Sequence, residues 1–380
     1  MYDLVILAGG KGTRIKKLLK NRCKPMAKFG SYNFLDYLLF TYSKFFFNKI
    51  FIIAGYKGHL IKSKYHNLRI NLSKIEVIVE KETKGTGGCL LEIKNKIKND
   101  FFVINGDTIF DINIFNLCSL IKKKHLASIA LVQNKKIDNT KLNNLKINKK
   151  NDIVHTENST YMNGGVYFFK NRFLKLLKKE QLSLEEDIMF ILIKKRLVCG
   201  KYFKNFFIDI GSIKKFHYAK KKLNSIFYKP AIFLDRDGVI NYDYGYTCKT
   251  KDIFFIKKTI NFLKKFRDKY YFFIITNQSG IGRGKFSINK FNLFQREIYS
   301  RLSKKDFFFN DIQFCPHHPQ AKLKIYKKIC FCRKPGNLMI RNILKLWPVN
   351  KKKSFFIGDK LSDYQTAKKS RLRYLDISQI

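Results

Sequence analysis

The stretch "AIFLDRDGVIN", residues 231–241, carries the two features that decide the fold of this chain. It opens with four apolar residues, and two aspartates follow at once as Asp235 and Asp237. A short apolar run that ends in Asp, Gly or Asn is typical of a buried parallel strand whose carboxyl end leads into a functional loop. Two carboxylates at one strand tip are costly unless they bind a cation or share a proton.

Similar apolar runs recur along the whole chain. They are "LVILAGG", "IFIIAGY", "IEVIVE", "FFVINGD", "YFFIITNQ" and "SFFIGDK", and Lys-rich segments of helical length lie between them. This alternation predicts an α/β protein with two domains, each a mostly parallel sheet flanked by helices. Because the strand at "PAIFLD" follows the Lys-rich helix "IKKFHYAKKKLNSIF", we place the domains at residues 1–227 and 228–380.

Basic residues dominate the charge of the chain, with 77 Lys and Arg against 28 Asp and Glu and a formal net charge of +49. One interpretation is a basic surface that tracks the phosphates of nucleic acid. The lysines, however, are spread evenly and form no separate basic tail, which is typical of solvated faces. We therefore predict small anionic substrates and no specific nucleic-acid partner. The alternative, a nucleic-acid-binding protein with decayed catalytic sites, predicts tight and steeply salt-dependent DNA binding.

The start of the chain, "MYDLVILAGGKGTR", has no basic leader, and no run of about 18 apolar residues predicts a membrane helix. We therefore expect a cytoplasmic protein with no membrane partner, in which thiols stay reduced. A chain of 380 residues can also bury a large core, so it needs no disulfides to fold.

Three of the eight cysteines fall within "FCPHHPQAKLKIYKKICFCRKPG", residues 314–336. A disulfide staple is disfavoured in a reducing compartment. Two short chelating pairs, one on each side of a loop, instead supply a Cys3His set that suits tetrahedral zinc with no open position. His318 is left out because it cannot easily share the ion with its neighbour. The predicted zinc ligands are Cys315, His317, Cys330 and Cys332.

Further polar residues follow other predicted strands of the second domain. Thr276 and Asn277 end "IITN", Lys334 stands in "CRKPG", and Asp359 begins "DKLSD" with Lys360 and Asp363. The order D-x-D, Thr, Lys and D-x-x-x-D resembles the four-motif set of the haloacid dehalogenase-type (HAD) phosphatases. In detail, "DRDGVIN", "TNQSGIGRG", "CPHHP", "CFCRKPG" and "GDKLSD" resemble D,D-heptose 1,7-bisphosphate phosphatases over residues 229–380.

This resemblance implies a mechanism. Asp235 would attack phosphorus and form an aspartyl phosphate, while Asp237 would protonate the leaving oxygen and then deprotonate water. Mg²⁺ would lie between Asp235, the backbone carbonyl of Asp237 and Asp359. Thr276 and Lys334 would bind the transferring oxygens, and the zinc would be structural. The residues implied in substrate binding are Asp243, Tyr244, Gly245, Tyr246, Asn277, Gln278, Ser279, Arg333 and Lys360.

The first domain begins with a glycine-rich loop, "LAGGKGTR", directly after its first strand. Glycines let backbone N–H groups surround a phosphate chain, although the loop is neither a P-loop nor G-x-G-x-x-G. "CKPM", "GTGG", "VINGD", "YMNGGVYFF" and "FIDIGS" follow in order. This set resembles the sugar-1-phosphate nucleotidyltransferases over most of residues 1–225, and is most similar to those that join GMP to a heptose or hexose 1-phosphate.

The second resemblance implies another list of roles. The catalytic cations would be Arg14 and Lys24, and Mg²⁺ would be held by Asp107 and Asp209. The nucleotide would be bound by Gly9, Gly10, Gly12, Thr13, Arg14, Lys24, Gly85 and Thr86, and the sugar phosphate by Glu157, Asn163 and Gly164. The chain departs from the family at Asn158, where a lysine is expected, and the upstream Tyr-Gly pair is missing.

The two implied activities can act one after the other on the same sugar. Removing the 7-phosphate of a heptose bisphosphate leaves a heptose 1-phosphate, which a nucleotidyltransferase can activate for surface polysaccharide such as lipopolysaccharide or S-layer glycan. Fusion would raise the local concentration of that product at the second site. Two alternatives remain open: a histidinol-phosphate-type phosphatase beside a transferase for another sugar, and an active phosphatase beside a degenerate transferase. The nucleotide and the anomer of the sugar are also open.

Overall fold

A computed structural model describes residues 1–82, 84–133, 144–156, 161–177 and 183–380 of the protein. The chain forms two compact units. The first comprises Met1–Tyr42, Phe47–Arg69 and Ser73–Leu223, and the second comprises Ser43–Phe46, Ile70–Leu72 and Asn224–Ile380. The predicted boundary after residue 227 falls at the end of the helix Ile213–Phe227, whereas the division between the units falls within that helix.

The first unit is built on a ten-stranded mixed sheet and two small two-stranded sheets. The large sheet has the order β11-β10-β12-β7-β1-β4-β6-β5, and β9 and β13 continue from β12. The small sheets pair β2 with β3 and β8 with β14. The strands of the three sheets are β1 (Asp3–Leu7), β2 (Lys28–Phe29), β3 (Tyr32–Asn33), β4 (Lys49–Ala54), β5 (Arg69–Ile70), β6 (Ser73–Val79), β7 (Phe101–Asn105), β8 (Thr108–Phe110), β9 (Ala127–Gln133), β10 (Leu145–Ile147), β11 (Ile153–His155), β12 (Tyr161–Phe169), β13 (Val198–Tyr202) and β14 (Phe207–Asp209).

Short helices connect these strands. They are α1 (Lys16–Leu19), α2 (Phe34–Tyr42), α3 (Gly58–Tyr65), α4 (Gly85–Gly88), α5 (Phe115–Cys118), α6 (Phe190–Lys194) and α7 (Ile213–Phe227). Single turns of 3₁₀ helix cover Thr13–Ile15 and Lys24–Met26, and a π-helix covers Leu184–Met189. Further 3₁₀ segments are Cys89–Ile93 and Asn171–Leu176, and that at Ser43–Phe45 belongs to the second unit.

The centre of the first sheet explains where its functional loops lie. All five residues of β1 are buried, as expected for a strand with parallel neighbours on both sides, here β4 and β7. Leu7 pairs with Asn105 at the carboxyl ends of β1 and β7, so the loops after both strands lie side by side. A Cβ on Gly106 would lie 2.5 Å from the Leu7 carbonyl oxygen, so only glycine fits there.

The second unit has one five-stranded sheet, in which every pair of neighbours is parallel. The order is β17-β16-β15-β18-β19, formed by β15 (Ala231–Leu234), β16 (Tyr271–Asn277), β17 (Asp311–Cys315), β18 (Phe355–Gly358) and β19 (Arg373–Asp376). Its helices are α8 (Lys257–Lys264), α9 (Ser279–Gly282), α10 (Ile288–Ser303), α11 (Leu338–Leu346) and α12 (Leu361–Lys369), with 3₁₀ turns at Thr250–Asp252, Lys324–Tyr326, Lys351–Lys353 and Ile377–Gln379.

The prediction of two α/β domains with mostly parallel sheets is confirmed. The stretch 231–234 forms the central strand β15, and all four of its residues are buried. In the first unit the sheet turns antiparallel at β12, which pairs with β7 and β9 in that sense. The sequence did not distinguish these strands from parallel ones, because a strand buried on both faces has the same apolar pattern in either direction.

Two short segments of the first predicted domain belong to the second unit. Within that unit the Asn71 backbone N–H donates to Asp311 Oδ1 at 2.7 Å, and Asn71 Oδ1 accepts from the Tyr299 hydroxyl at 2.5 Å. Phe46 stacks on the Tyr299 ring with 5.1 Å between the centroids. Burial raises the pKa of Asp311 to about 6, although N–H donors from Asn71, Ile312 and the indole of Trp347 oppose that rise.

Candidate functional site

The first unit contains a cavity of about 390 Å³ at the carboxyl ends of β1 and β7. Four glycines line this cavity, because the loops after β1 and β7 and the first turn of α4 all lie against it. Backbone N–H groups in such a wall can approach an anion closely. The predicted site residues that line the cavity are Gly9, Gly10, Lys24, Gly85, Thr86 and Asp107.

Cations and carboxylates meet at one side of this cavity. Lys24 Nζ lies 2.8 Å from Asp107 Oδ2, and Gly12 brings Lys24 close because a Cβ on Gly12 would lie 2.8 Å from Lys24 Cγ. Asp209 pairs with Lys215 at 2.6 Å. The Ile210 N–H donates to the Asp107 carbonyl oxygen at 3.1 Å, so the two predicted metal ligands lie at one end of the β8–β14 ribbon. Thr13 and Arg14 are exposed on the 3₁₀ turn that follows Gly12.

A hydrogen-bond network surrounds Glu185, a residue that no motif in the sequence indicates. Glu185 lies in the π-helix and lines the cavity. Its Oε2 accepts from the Thr86 hydroxyl at 2.9 Å, and its Oε1 accepts from Asn105 at 3.1 Å and from Tyr167 at 3.2 Å. No spacing in the sequence joins Thr86 to Glu185, and only the long-range contact reveals the acceptor.

Glu80, at the end of β6, is a second missed residue of the cavity wall. Its Oε2 lies so close to the loop after β1 that a Cβ on Gly9 would be 2.9 Å away. Among the described residues, its Oε1 is buried and has no hydrogen-bond partner. Burial raises the pKa of this carboxyl. An unpartnered acceptor in a cavity wall is suited to a ligand that offers N–H or O–H groups.

The predicted sugar-phosphate residues lie partly in this unit's described strands. Asn163 and Gly164 are in β12, where the Asn163 carboxamide oxygen accepts from the Gly165 N–H at 2.8 Å. A Cβ on Gly164 would lie 2.6 Å from the Phe110 ring, so this glycine serves close packing. Glu157, like the unexpected Asn158, lies outside the described residues.

In the second unit, Asp235 follows β15 and is 5% exposed. Its Oδ1 lies 2.8 Å from Lys334 Nζ, which also lies 2.6 Å from Asp363 Oδ1. Burial raises the pKa of Asp235, the Lys334 ammonium opposes that rise, and the nearby Asp363 adds to it. Burial alone would lower the pKa of Lys334, but both carboxylates outweigh it and raise that pKa.

Three carboxylates around this lysine form a group suited to a cation. One oxygen each of Asp235, Asp359 and Asp363 lies within 4.8 Å of the others. Asp359 Oδ1 is buried and has no hydrogen-bond partner in the described part of the chain. Carboxylate oxygens of this kind are the ligands that Mg²⁺ prefers. A Cβ on Gly238 would lie 2.2 Å from Asp359 Oδ2, so the D-x-D-G glycine leaves room for this group.

Asp237 does not share this group through its carboxylate. Arg236 Nη2 donates to Asp237 Oδ2 at 2.7 Å, Asn241 Nδ2 donates to Oδ1 at 3.0 Å, and Gln278 Nε2 donates to Oδ2 at 2.9 Å. Burial by itself would raise the pKa of Asp237, but the Arg236 charge and these hydrogen bonds lower it. The predicted metal ligand of this residue is its backbone carbonyl oxygen, which stays a prediction.

The remaining predicted residues of this site lie at the end of β16, at the start of α9 and beside Lys334. Thr276 is 1% exposed at the end of β16, and its Oγ1 lies 3.0 Å from Gln278 Nε2. Asn277 clamps the backbone of Lys334, accepting from its N–H at 2.9 Å and donating to its carbonyl oxygen at 3.2 Å. Ser279 begins α9. Arg333 is half-buried, and among the described atoms its Nη1 has no hydrogen-bond partner.

The loop "DYGY" carries the other predicted substrate contacts. Lys360 Nζ lies 3.0 Å from Asp243 Oδ2. Because Lys360 directly follows Asp359, this ion pair holds the loop near the acidic group. Gly245 turns the chain at φ 74°, and its N–H donates to Asp243 Oδ1 at 3.0 Å. Tyr244 and Tyr246 are exposed, at 61% and 42%. This loop therefore presents two aromatic side chains to solvent beside the acidic group.

The four predicted zinc ligands converge. The Cys332 sulfur lies 3.1 Å from Cys315, 3.2 Å from Cys330 and 3.2 Å from His317 Nδ1. These sulfurs are too far apart for a disulfide bond of about 2.05 Å. A tetrahedral site with Zn–S bonds of about 2.3 Å places sulfurs about 3.8 Å apart, so a small expansion would admit the ion. The set fits a closed structural zinc site.

No helix in the described ranges is long and apolar enough to cross a membrane. Among the described residues, groups of three or more Cys, His, Asp or Glu side chains that could hold a metal ion occur at two places, the Cys3His set and the Asp235 group.

Comparison with known proteins gives each part of the chain a family. Residues 4–226 match the nucleotidyl transferase family. The chain is 28% identical to a crystal structure of HddC from Yersinia pseudotuberculosis, with a TM-score of 0.50, and the match covers 59% of this chain and 100% of that one. The prediction of a nucleotidyltransferase domain at the N-terminus is therefore confirmed.

The phosphatase prediction is confirmed by curated relatives. The D-glycero-beta-D-manno-heptose-1,7-bisphosphate 7-phosphatase of Rhodopseudomonas palustris is 40% identical over 141 residues, 37% of this chain and 78% of that protein. The D-glycero-alpha-D-manno-heptose-1,7-bisphosphate 7-phosphatase of Photorhabdus laumondii is 40% identical over 139 residues, 36% of this chain and 76% of that protein. These matches favour heptose phosphatases over the histidinol-phosphate alternative. They also support small-molecule substrates and a divalent cation.

The protein is therefore an enzyme with two activities: it belongs to the nucleotidyl transferase family over residues 4–226 and, through its second α/β unit, to the heptose-1,7-bisphosphate 7-phosphatase family.

Proposed function

We propose that residues 228–380 remove the 7-phosphate of D-glycero-D-manno-heptose 1,7-bisphosphate, and that residues 1–227 transfer GMP from GTP to the heptose 1-phosphate so formed. The observation that carries the proposal is the buried contact of Lys334 with Asp235 and Asp363, beside Asp237. The names of the phosphatase relatives supply the heptose substrate. The fused order is chemically sensible, because the product of the second domain is the substrate of the first.

The phosphatase step begins at Asp235. Its carboxylate oxygen attacks the 7-phosphorus, the bond from phosphorus to the sugar oxygen breaks, and that oxygen takes a proton from the Asp237 carboxyl. Lys334 Nζ and the Thr276 hydroxyl are placed to donate to the transferring oxygens. Asp235, Asp359 and Asp363, with the Asp237 carbonyl, would hold Mg²⁺, which when bound offsets the repulsion between carboxylates and the phosphoryl group.

Hydrolysis of the aspartyl phosphate returns the site to its starting state. Asp237, now ionised, accepts a proton from water, and the resulting hydroxide attacks phosphorus. The bond between phosphorus and Asp235 breaks, and orthophosphate leaves. Asp237 thus gives one proton and regains one in each cycle, which is the pattern expected of a general acid and base.

In the transferase domain, catalysis would depend on the positioning of the two substrates and on the neutralisation of their phosphate charges. Arg14 and Lys24 would neutralise the triphosphate, the glycine backbone would approach it, and Asp107 and Asp209 would hold Mg²⁺. An oxygen of the heptose 1-phosphate attacks the α-phosphorus, and pyrophosphate leaves. Asn163, Gly164 and Glu157 would bind the sugar phosphate, and the Glu185 carboxylate in the cavity wall is a further acceptor for sugar hydroxyls.

Glu80 supports guanine as the base. Guanine offers an N1–H and an N2–H side by side, whereas the corresponding edge of adenine places an acceptor at N1. The unpartnered Glu80 Oε1 can accept from guanine and would repel the acceptor of adenine. The carboxylate that lines the cavity therefore favours GTP over ATP.

The Cys3His set would hold a structural zinc ion that braces the loop leading into Arg333 and Lys334. Three free thiols at one site are typical of a reducing compartment, which supports a cytoplasmic location.

Incubation of the full chain with Mg²⁺, each anomer of heptose 1,7-bisphosphate and each of the four NTPs tests both steps. Mass spectrometry should detect a heptose 1-phosphate and, with GTP, a GDP-heptose. Faster release of phosphate from histidinol phosphate than from either anomer would contradict the phosphatase assignment. Absence of pyrophosphate from GTP and heptose 1-phosphate would show that the transferase domain does not catalyse this step.

A further inference from the structure

Arg236, between the two aspartates of the D-x-D sequence, makes an unusual contact with its own neighbour. Its Nε donates to Asp237 Oδ1 at 3.0 Å, and its Nη2 donates to Asp237 Oδ2 at 2.7 Å. Two parallel N–H···O bonds fix the plane of a carboxylate as well as its distance. The guanidinium therefore determines the orientation of Asp237.

The Arg236 side chain is buried beside aromatic rings, where a guanidinium is stable only if an anion pairs with it. Its side chain is 1% exposed, and its guanidinium carbon lies 4.8 Å from the centroid of the Phe294 ring and 5.5 Å from that of Phe291. A buried cation costs several kcal/mol unless it is paired. Nη2 also donates to the Thr247 carbonyl oxygen at 3.1 Å, whereas Nη1 is buried without a hydrogen-bond partner among the described residues.

Asp237 is saturated with donors. Besides the two bonds from Arg236, its oxygens accept from Asn241 at 3.0 Å and from Gln278 at 2.9 Å. A carboxylate has about four acceptor positions, so no position is left for a proton or a leaving oxygen. One donor must give way before Asp237 can transfer a proton.

Gln278 is the donor best placed to give way, because its second acceptor is a side chain of the site, whereas the second acceptor of Asn241 Nδ2 is the backbone carbonyl oxygen of Tyr242. Its Nε2 is shared between Asp237 Oδ2 and the Thr276 hydroxyl, at 2.9 and 3.0 Å. Thr276 is the residue expected to meet the transferring phosphoryl group, so the amide can turn toward that group. The second acceptor of Arg236 Nη2 is the backbone carbonyl oxygen of Thr247, which takes no part in the reaction, so Arg236 stays in place.

We propose that Arg236 is a positioning residue, which holds the Asp237 carboxyl in the orientation for proton transfer while Gln278 releases one oxygen to the leaving group. The inference rests on the phosphatase mechanism proposed above. It predicts that loss of Arg236 damages the proton-dependent part of the reaction and spares the attack by Asp235.

Leaving groups that differ in their need for a proton separate these two parts. A sugar alkoxide needs a proton from Asp237, whereas p-nitrophenolate is a stable anion that leaves without one. Arg236→Met should lower kcat/KM for heptose 1,7-bisphosphate by about 100-fold or more, and for p-nitrophenyl phosphate by less than about tenfold. Asp237→Asn should show the same selectivity, and Arg236→Lys should restore part of the loss. Equal losses on both substrates would overturn the inference.

Arg236→Met leaves a buried carboxylate unpaired, so this variant could fail to fold. The double variant Arg236→Met/Asp237→Asn removes both charges together and is compared with Asp237→Asn alone. If Arg236 acts through Asp237, adding Arg236→Met to Asp237→Asn lowers kcat/KM by less than about threefold on either substrate. A further loss of tenfold or more on both substrates would assign Arg236 a structural role only.

The proposed function and this inference fail in different ways. If the unmodified chain hydrolyses p-nitrophenyl phosphate but neither heptose anomer, the assigned substrate is wrong. If it hydrolyses both kinds of substrate and Arg236→Met has no leaving-group selectivity, the substrate stands and the positioning role is wrong.

Discussion

The two candidate sites differ in what forms them. In the phosphatase site, charged side chains are paired with one another: Lys334 with Asp235 and Asp363, and Arg236 with Asp237. In the transferase cavity, four glycines line the wall beside a single such pair, Lys24 with Asp107, and Glu80 keeps a buried oxygen without a partner among the described residues. Motifs located both sites, but they include neither Glu80 nor Glu185, which only the lining of the transferase cavity reveals.

The largest expected effect isolates one site from the other. Asp235→Asn removes the attacking carboxylate, so release of orthophosphate should fall by at least about 10³-fold while GMP transfer to supplied heptose 1-phosphate continues. Phosphate release and pyrophosphate release are measured on the same preparation. Asp268→Asn, at a side chain that is 87% exposed, is the matched control and should leave both rates unchanged. Retained phosphatase activity in Asp235→Asn would refute the mechanism.

Loss of the metal cluster should also affect only the phosphatase. Cys332→Ser removes one ligand of the Cys3His set, so bound zinc should fall from about one ion per chain to near none, and phosphatase activity should fall about 10- to 100-fold. Zinc is measured by mass spectrometry of the metal. Cys248→Ser, outside the set, should keep the zinc. Unchanged zinc content in Cys332→Ser would contradict the assignment.

A substitution with a smaller expected effect should lower the activity of the transferase and leave that of the phosphatase unchanged. Glu80→Gln replaces a carboxylate with an amide, so kcat/KM for GTP should fall about tenfold or more while that for ATP changes little. Phosphatase activity should stay constant. The control is Glu82→Gln, at an exposed position two residues away. If GTP and ATP lose activity equally, Glu80 does not read the base.

The smallest effect concerns stability. Asp311→Asn places an NH₂ group where the carboxylate accepts N–H bonds from Asn71, Ile312 and the indole of Trp347. The lost acceptor should lower the free energy of unfolding of the second unit by about 1–3 kcal/mol. The loss of stability is measured by thermal unfolding, with the phosphatase activity that remains at each temperature as the signal. Unchanged stability would show that Asp311 is dispensable to the unit.

The sequence predicted those features that depend on short-range patterns. The apolar runs predicted the central strands, and the spacing of Cys315, His317, Cys330 and Cys332 predicted a set whose atoms the structure brings together. The orders of the motifs predicted both families. These features could be found because each depends on residues close in sequence or at the ends of recognisable strands.

Other features depend on contacts that no local pattern encodes. Glu185 meets Thr86 across 99 positions, and Asn71 meets Asp311 across 240. Arg236 was overlooked for another reason: a basic residue between two acidic ones is commonly a solvated side chain, and only its 1% exposure identifies it as part of the site. The antiparallel strands at β12 were missed because burial hides strand direction.

The three-segment construction of the second unit has a practical consequence. Because Ser43–Phe46 and Ile70–Leu72 belong to it, a gene truncated to begin at residue 228 would lack the partners of Tyr299 and Asp311. Such a fragment would expose an aromatic ring and an acidic group that the intact chain covers, and would tend to aggregate. Anyone who wishes to crystallise the phosphatase alone should graft these two short peptides or redesign the surface that they leave bare.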